Sequence, residues 1–317
     1  MPIQHYLKEI GRGKDGARAL SRAQSADLMG QLLDGQVDAL ATGAFCVAMR
    51  IKGETPEEMA GFLDAIHQRL PLLPLQPQPW VVLPSYNGAR KLPVLTPLLA
   101  LLLAREGLPV LLHGCTTEAS RTTSAQVLQA LGHAPTTALS NIAPGQLQHC
   151  SAEALHPGLQ RLLNARAAIG LRNPAHSLVK LLNPLGRNAQ PALVVGSYTH
   201  PEYATSMAAT QALVRATALL LRGTEGEPVA DPRRHPAMTA VLHGQPQVLQ
   251  DSQRGTLADL PPLPNGHDVQ ATARYTEDVL TGLLPVPAPI AQQLHYLKQL
   301  HAQLPQPQQT ISAPKSL

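Results

Sequence analysis

The sequence predicts an α/β fold in which a small helical unit precedes a larger unit with a mainly parallel sheet. Three unbroken apolar runs, Trp80–Leu83, Val110–Leu112 and Ala192–Val195, each lead into a turn rich in Gly, Pro or Ser and then a helical pattern. This order is typical of buried parallel strands with crossover helices. Residues 1–70 carry apolar side chains at helical spacing, and the uncharged stretch 70–79, with four prolines, separates the two units.

Three helices are predicted in the helical unit. Ser21 caps the first helix, which ends at Gly35, and Ala41–Ile51 forms the second. The third helix has the clearest start, because Thr55 precedes a proline and Glu58 follows three residues later, which together form a capping box.

The domain boundaries follow from these patterns. We assign residues 1–70 to the helical domain and residues 80–302 to the α/β domain. Beyond Asp231 the pattern weakens, and residues 303–317 are rich in Gln and Pro, which predicts a disordered tail.

The composition excludes several classes of protein. Hydrophobic residues make up 44% and charged residues 15%, so the chain is not disordered as a whole. The longest apolar run, Leu92–Ala104, contains two prolines and is too short to span a bilayer, so we expect no membrane segment. Lys8 and Glu9 precede any apolar stretch, which argues against a signal peptide, and three cysteines without paired spacing favour a reducing cytoplasm.

The cationic residues are mostly arginine. The net charge is +4, and 18 of the 25 cationic residues are Arg, which holds phosphate or carboxylate with two parallel hydrogen bonds. A GC-rich genome, which favours Arg codons, is an equally good explanation of that count. The aromatic content of 3% offers few stacking platforms, so a nucleic-acid surface here would depend mainly on phosphate contacts.

The sequence contains no standard catalytic or metal-binding motif. There is no Gly-x-Ser-x-Gly elbow, and the 13 histidines lack metal-ligand spacing, so we predict no catalytic residue, bound metal or cofactor. Gly11–Gly16 is similar to a phosphate loop, but Asp15 follows Lys14 and no strand precedes it. It is either a solvated turn or a flexible basic turn that contacts an anion.

Several segments resemble one known family. Met49–Gly61 is similar, almost residue for residue, to the helical-domain motif of the anthranilate phosphoribosyltransferase and nucleoside phosphorylase class II group, within glycosyl transferase family 3. Ser124–Gly132 and Ile169–Arg172 resemble further motifs of that family. The resemblance implies that a returning segment around residues 170–190 completes the helical domain.

The catalytic motifs of that family are altered in this sequence. Pro84–Gly88 stands where the family has Gly-Thr-Gly-Gly-Asp, whose glycines let the backbone approach a diphosphate. Pro228 and Val229 stand where the family has an acidic pair that holds magnesium. Without those carboxylates the leaving group loses a stabilisation of several kcal/mol, about a thousand-fold in rate. The resemblance therefore implies that phosphoribosyl transfer has been lost.

The altered segments agree with one branch of the family, the YbiB-type proteins. The loop pattern Pro-Ser-Tyr-Asn-Gly-Ala-Arg-Lys of that branch is intact as Pro84–Lys91, and similar matches occur at Gly11–Lys14, Gly170–Asn173, His200–Tyr203 and Gly223–Glu227. This resemblance implies a homodimer that binds nucleic acid, DNA or RNA, with low sequence specificity. We expect single strands to be favoured and the dimer to form through the helical domain.

The predicted site is a cationic groove at the family's substrate cleft, because ligands of parallel α/β folds bind beyond the carboxyl ends of the strands. Tyr86 is a candidate for stacking on a base, and a buried structural role is its alternative. Two other functions stay open: a transferase with a reworked site that uses Thr96, His113 and Glu225, and an interaction module whose cleft has decayed. The predicted nucleic-acid contacts are Arg12, Lys14, Arg90, Lys91, Arg121, Arg166, Arg172 and Arg187.

Overall fold

A computed structural model of the protein describes residues 3–13, 15–74, 76, 78–116, 118–188 and 190–305. The predicted contact residue Lys14 and residues 306–317 of the predicted tail lie outside the described residues. No helix in the described part is both long enough and apolar enough to cross a membrane.

The three helices predicted at the amino end are confirmed. Ser21 and Thr55 both act as N-caps, and the side chains of Gln24 and Glu58 complete the two capping boxes. In chain order the helices are α1 (Gln4–Ile10), α2 (Arg22–Leu33), α3 (Ala39–Lys52), α4 (Pro56–His67), α5 (Thr96–Arg105), α6 (Ser124–Ala130), α7 (Ala152–Leu155), α8 (Pro157–Ile169), α9 (Ala175–Leu178), α10 (Glu202–Leu213), α11 (Val269–Leu280) and α12 (Ala288–Ala302).

Helices from the middle of the chain complete the helical unit. α8 packs against α2, and α9 packs against α4. The returning segment therefore begins at Pro157, earlier than the predicted range of 170–190. His156 stabilises this early start, because its side chain accepts the backbone N–H of Gly158 and proline occupies the first helical position.

The described strands form one sheet in the order β3-β2-β1-β4-β5-β6-β7. The pairs from β3 to β5 are parallel and the last two pairs are antiparallel, which confirms the predicted mainly parallel sheet. The strand order reverses between β1 and β4, and such a reversal opens a crevice at the carboxyl ends of the strands. The strands are β1 (Trp80–Ser85), β2 (Val110–Gly114), β3 (Leu147–Ser151), β4 (Ala192–Tyr198), β5 (Thr217–Arg222), β6 (Met238–Leu242) and β7 (Gln245–Gln250).

The hairpin of β6 and β7 lies where the sequence pattern weakens. Its turn residues His243 and Gly244 have positive φ angles of 50° and 77°, as a tight two-residue hairpin turn requires. β7 is mostly exposed, so it lacks the continuous apolar run that marks the buried parallel strands.

Alternate residues of β1 enter two different cores. Trp80 and Val82 belong to the core shared with the helical unit. Val81 and Leu83 belong to the core on the opposite face, which α5, α11 and α12 cover. Because both faces of the sheet are covered, the carboxyl ends of the parallel strands remain the open edge of the α/β unit.

Candidate functional site

The loops after β1 and β5 are joined by a buried carboxylate. Glu227 is only 1% exposed, and its Oε1 accepts the backbone N–H groups of Asn87 and Gly88, both at 2.8 Å. Its Oε2 accepts the hydroxyls of Ser85, Thr96 and Ser124. Backbone N–H groups of a turn, together with hydroxyls, form the donor set that binds an anion. In this protein the carboxylate of Glu227 occupies the place that a bound anion would take.

A second carboxylate holds the outer part of the same loop. One oxygen of Glu225 accepts the backbone N–H groups of Arg90 at 2.8 Å and Lys91 at 3.2 Å. Glu225 itself has a φ of 51°, in the left-handed region that non-glycine residues seldom adopt. The side chains of Arg90 and Lys91 are exposed and have no hydrogen-bond or ion-pair partner in the described part of the chain.

A lysine lies beside Glu225 and Glu227, the two carboxylates that hold the loop after β1. Lys180 Nζ donates to the carbonyl oxygens of Gly226 at 3.1 Å and Ser197 at 3.4 Å. Burial lowers the pKa of Lys180 to about 8, and the nearby carboxylate of Glu227 opposes that change. A cation therefore sits at the floor of the cleft, with Glu227 as its counter-charge.

Two of the three residues of the alternative transferase site are enclosed in the protein, whereas Glu225 is partly exposed. Thr96 and His113 are both 0% exposed, and burial lowers the pKa of His113 to about 3. Tyr86, the candidate for base stacking, is 4% exposed, and its hydroxyl lies 2.8 Å from His113 Nδ1. The stacking role is therefore wrong for Tyr86, because a ring enclosed on all sides presents no face to a base. Its alternative, a buried structural role, holds.

Three predicted arginines come together at the cleft. Arg121 and Arg166 both donate to the carboxylate of Glu118, which lowers the pKa of that carboxyl to about 2, chiefly through the hydrogen bond from Arg121. Arg172 has no such partner among the described residues. Burial lowers its pKa, and the charges of Arg166 and Arg121 lower it further.

A polar pocket of about 230 Å³ opens beside Arg172, between the helical unit and the carboxyl end of β4. Arg50, Glu54, Lys180 and Tyr203 also line it. The sequence prediction missed all four as site residues. Arg50 and Tyr203 lie in segments that carry the family resemblance, but no spacing in the sequence places them beside the same pocket.

Two predicted contacts lie apart from this cluster. Arg12 lies two residues beyond the end of α1, and its side chain donates to Glu9 and to the carbonyl oxygen of Lys8. Arg187 lies in a short turn that precedes β4, at the amino ends of the strands. Its side chain donates to the carbonyl oxygen of Leu70. The structure therefore does not bring Arg187 to the cleft.

The residues at the family's magnesium position do not fit a magnesium ion. Pro228 and Val229 offer no side-chain oxygen there, and both oxygens of the neighbouring Glu227 already accept hydrogen bonds. No group of three His, Cys, Asp or Glu that could hold a metal ion occurs within the described ranges.

A helical bundle beside a mainly parallel sheet, with a cleft at the strands' carboxyl ends, defines the phosphoribosyltransferase-like class. Residues 4–69 match the helical bundle domain of the glycosyl transferase family. Anthranilate phosphoribosyltransferase from Thermus thermophilus has the same fold, with a TM-score of 0.67 and 24% identity over 91% of this chain and 85% of that one.

The sequence comparison is more specific. The chain is 37% identical over 293 residues to the uncharacterized protein YbiB of Escherichia coli (strain K12), which covers 90% of each chain. It is 28% identical to anthranilate phosphoribosyltransferase of Idiomarina loihiensis, over 83% of this chain and 79% of that one. The protein belongs to the YbiB-type branch of the anthranilate phosphoribosyltransferase-like family, glycosyl transferase family 3.

Proposed function

We propose that this protein binds nucleic acid without reading its sequence, on a phosphoribosyltransferase scaffold that no longer transfers phosphoribosyl groups. One observation carries the proposal. Glu227 fills the anion position of the loop after β1, while the cleft around it keeps arginines that lack carboxylate partners. Because Glu227 occupies the anion position, the cleft cannot hold a diphosphate there. The cations around the cleft can still bind a polyanion that lies across its opening.

Phosphate contacts explain the expected lack of sequence specificity. Arg90, Lys91 and Arg172 offer guanidinium or ammonium groups that have no internal partner in the described part of the chain. Such groups hold a sugar-phosphate backbone and neutralise its charge, but they read no base edges. A strand across this cleft would release counterions, so its affinity depends steeply on salt.

The loss of transferase activity is part of the proposal. Pro228 and Val229 stand in place of the magnesium-binding pair, and the hydroxyl of Thr96 donates to Glu227. The imidazole of His113 is fully buried and engaged with Tyr86. These contacts support a silent site, because neither group is free to meet a substrate.

We also propose that the protein is a homodimer formed through α3. Leu40, Val47 and Ile51 lie on one face of α3 and are 86%, 37% and 66% exposed. A contiguous apolar stripe of this kind on a helix marks an interaction surface. Dimerisation places two cationic clefts in one particle and raises avidity for a strand that reaches both.

Fluorescence anisotropy with labelled single-stranded DNA, duplex DNA and single-stranded RNA tests the binding proposal. We expect binding to weaken steeply as salt rises, with a slope of about 0.7 per neutralised phosphate for single strands. The double variant Arg90→Glu with Lys91→Glu is expected to bind weakly, whereas Arg187→Glu, a charge reversal at the other end of the sheet, is the matched control. Affinity that stays flat between low and moderate salt contradicts the proposal.

Calorimetry with phosphoribosyl pyrophosphate and magnesium tests the loss of transferase function. We expect no measurable heat of binding. Tight binding that requires the metal would restore the transferase as the better explanation of the cleft.

A further inference from the structure

The charged side chains that line the pocket beside Arg172 are three cations and one carboxylate. The guanidinium groups of Arg50 and Arg172 have no hydrogen-bond or ion-pair partner in the part of the chain that the structure describes. Lys180 reaches the same pocket and bonds to carbonyl oxygens. Glu54 is the single acidic side chain among the described residues that line it.

An arginine in this environment favours an anionic ligand. Arg172 is half-buried, so it has lost part of its hydration, and the neighbouring charges of Arg166 and Arg121 repel it. A partly desolvated charge without a partner destabilises the fold unless an anion approaches it. A phosphate group, which arginine binds with two parallel hydrogen bonds, supplies that partner.

The lining of the pocket also includes an accessible aromatic ring. Tyr203 is 38% exposed, and its ring centroid lies 6.4 Å from that of His200, which lines the same pocket. Exposed rings of this kind bind bases by stacking, with little dependence on the base. Tyr86 is enclosed in the core, so Tyr203 is the better candidate for stacking on a base.

We infer that this pocket holds one nucleotide unit of a bound strand, with its phosphate on Arg172 and Arg50 and its base against Tyr203. The inference rests on the proposed function, and it identifies which part of the cleft recognises the strand. Because the pocket is small, about 230 Å³, we expect it to take one unpaired unit of a strand and not a base pair. The pocket is therefore the feature that we expect to favour single strands.

Anisotropy with a labelled oligodeoxyadenylate, as a single strand and as a duplex with its complement, tests the inference. We expect Tyr203→Ala to weaken single-strand binding about tenfold, within the range for loss of one base–aromatic stack, and to leave duplex binding unchanged. Tyr203→Phe keeps the ring and is expected to bind as the unmodified protein does.

Arg172→Gln tests the phosphate half of the pocket. We expect it to weaken binding and to lower the salt slope by about 0.7, the value for one phosphate contact. Its thermal midpoint is expected to stay equal or rise, because the variant removes an uncompensated charge, whereas loss of a structural arginine lowers the midpoint. Arg187→Gln is the matched control for the change of charge.

The outcomes separate this inference from the proposed function. If Tyr203→Ala and Arg172→Gln bind strands as the unmodified protein does, while the Arg90 and Lys91 reversal abolishes binding, the pocket inference is overturned and the proposed function stands. If the unmodified protein binds no strand, the proposed function fails and this inference fails with it. Adenosine monophosphate and inorganic phosphate are the competitors: we expect the nucleotide to displace the strand at lower concentration, and equal displacement by both overturns the role of Tyr203.

Discussion

Replacing Glu227 by alanine removes the single acceptor that five donors share inside the protein. The backbone N–H groups of Asn87 and Gly88 then have no acceptor, and the hydroxyls of Thr96 and Ser124 lose theirs, whereas Ser85 can still donate to Ser124 Oγ. A buried donor without a partner costs about 1–3 kcal/mol. Counting the two N–H groups, which cannot rotate toward another acceptor, the free energy of unfolding is expected to fall by about 2–6 kcal/mol.

Glutamine at position 227 keeps the shape of the side chain and removes its charge. The side-chain carbonyl oxygen of glutamine can accept hydrogen bonds from both backbone N–H groups. Its NH₂ group can donate to the oxygens of the hydroxyls that donate to Oε2 in the wild type. The loss is then the difference between charged and neutral hydrogen bonds, about 1–2 kcal/mol. The order of stability is therefore wild type, then Glu227→Gln, then Glu227→Ala.

Urea unfolding followed by circular dichroism measures this series, and phosphate adds a second measurement. The alanine variant leaves an empty anion position, so inorganic phosphate is expected to raise its stability, by up to about 2.7 kcal/mol at a hundred times the dissociation constant. The wild type, whose position is filled, is expected not to respond. A loss below about 1 kcal/mol for alanine, or an equal response of both proteins to phosphate, refutes the account of Glu227 as an internal anion.

Three further predictions concern charge, pH and assembly. Glu118→Gln releases Arg121 and Arg166, so nucleic-acid binding is expected to strengthen severalfold with a steeper salt slope; anisotropy that shows weaker binding contradicts this. Burial lowers the pKa of His176 from 6.5 to about 4, so its contribution to stability is complete above pH 6.5 and is lost as the pH falls toward 4, by up to about 1.4 kcal/mol per pH unit. His176→Gln is expected to flatten that fall in urea titrations, and an unchanged pH profile contradicts it. Ile51→Lys is expected to shift the protein from dimer to monomer in analytical ultracentrifugation, without a change in its circular dichroism spectrum.

Local rules determined the parts of the fold that the sequence predicts well. The caps at Ser21 and Thr55 depend on residues three positions apart, so they can be recognised without knowing the rest of the chain. The buried strands β1, β2 and β4 appear as unbroken apolar runs because both faces of the sheet are covered. In the hairpin after Asp231, β7 is mostly exposed and has no unbroken apolar run, so the sequence pattern did not predict it.

The candidate site depended on the tertiary structure. Glu227 lies about 140 positions from the loop it holds, and no sequence period relates a carboxylate to backbone N–H groups at that separation. The family resemblance and the basic residues in segments that border the cleft predicted a cationic groove. The groups that neutralise each arginine, however, come from distant segments: Glu118 pairs with Arg166, whereas Arg172 has no described partner. Composition sets how many charges the chain carries, while folding decides which of them remain uncompensated and therefore available to a ligand.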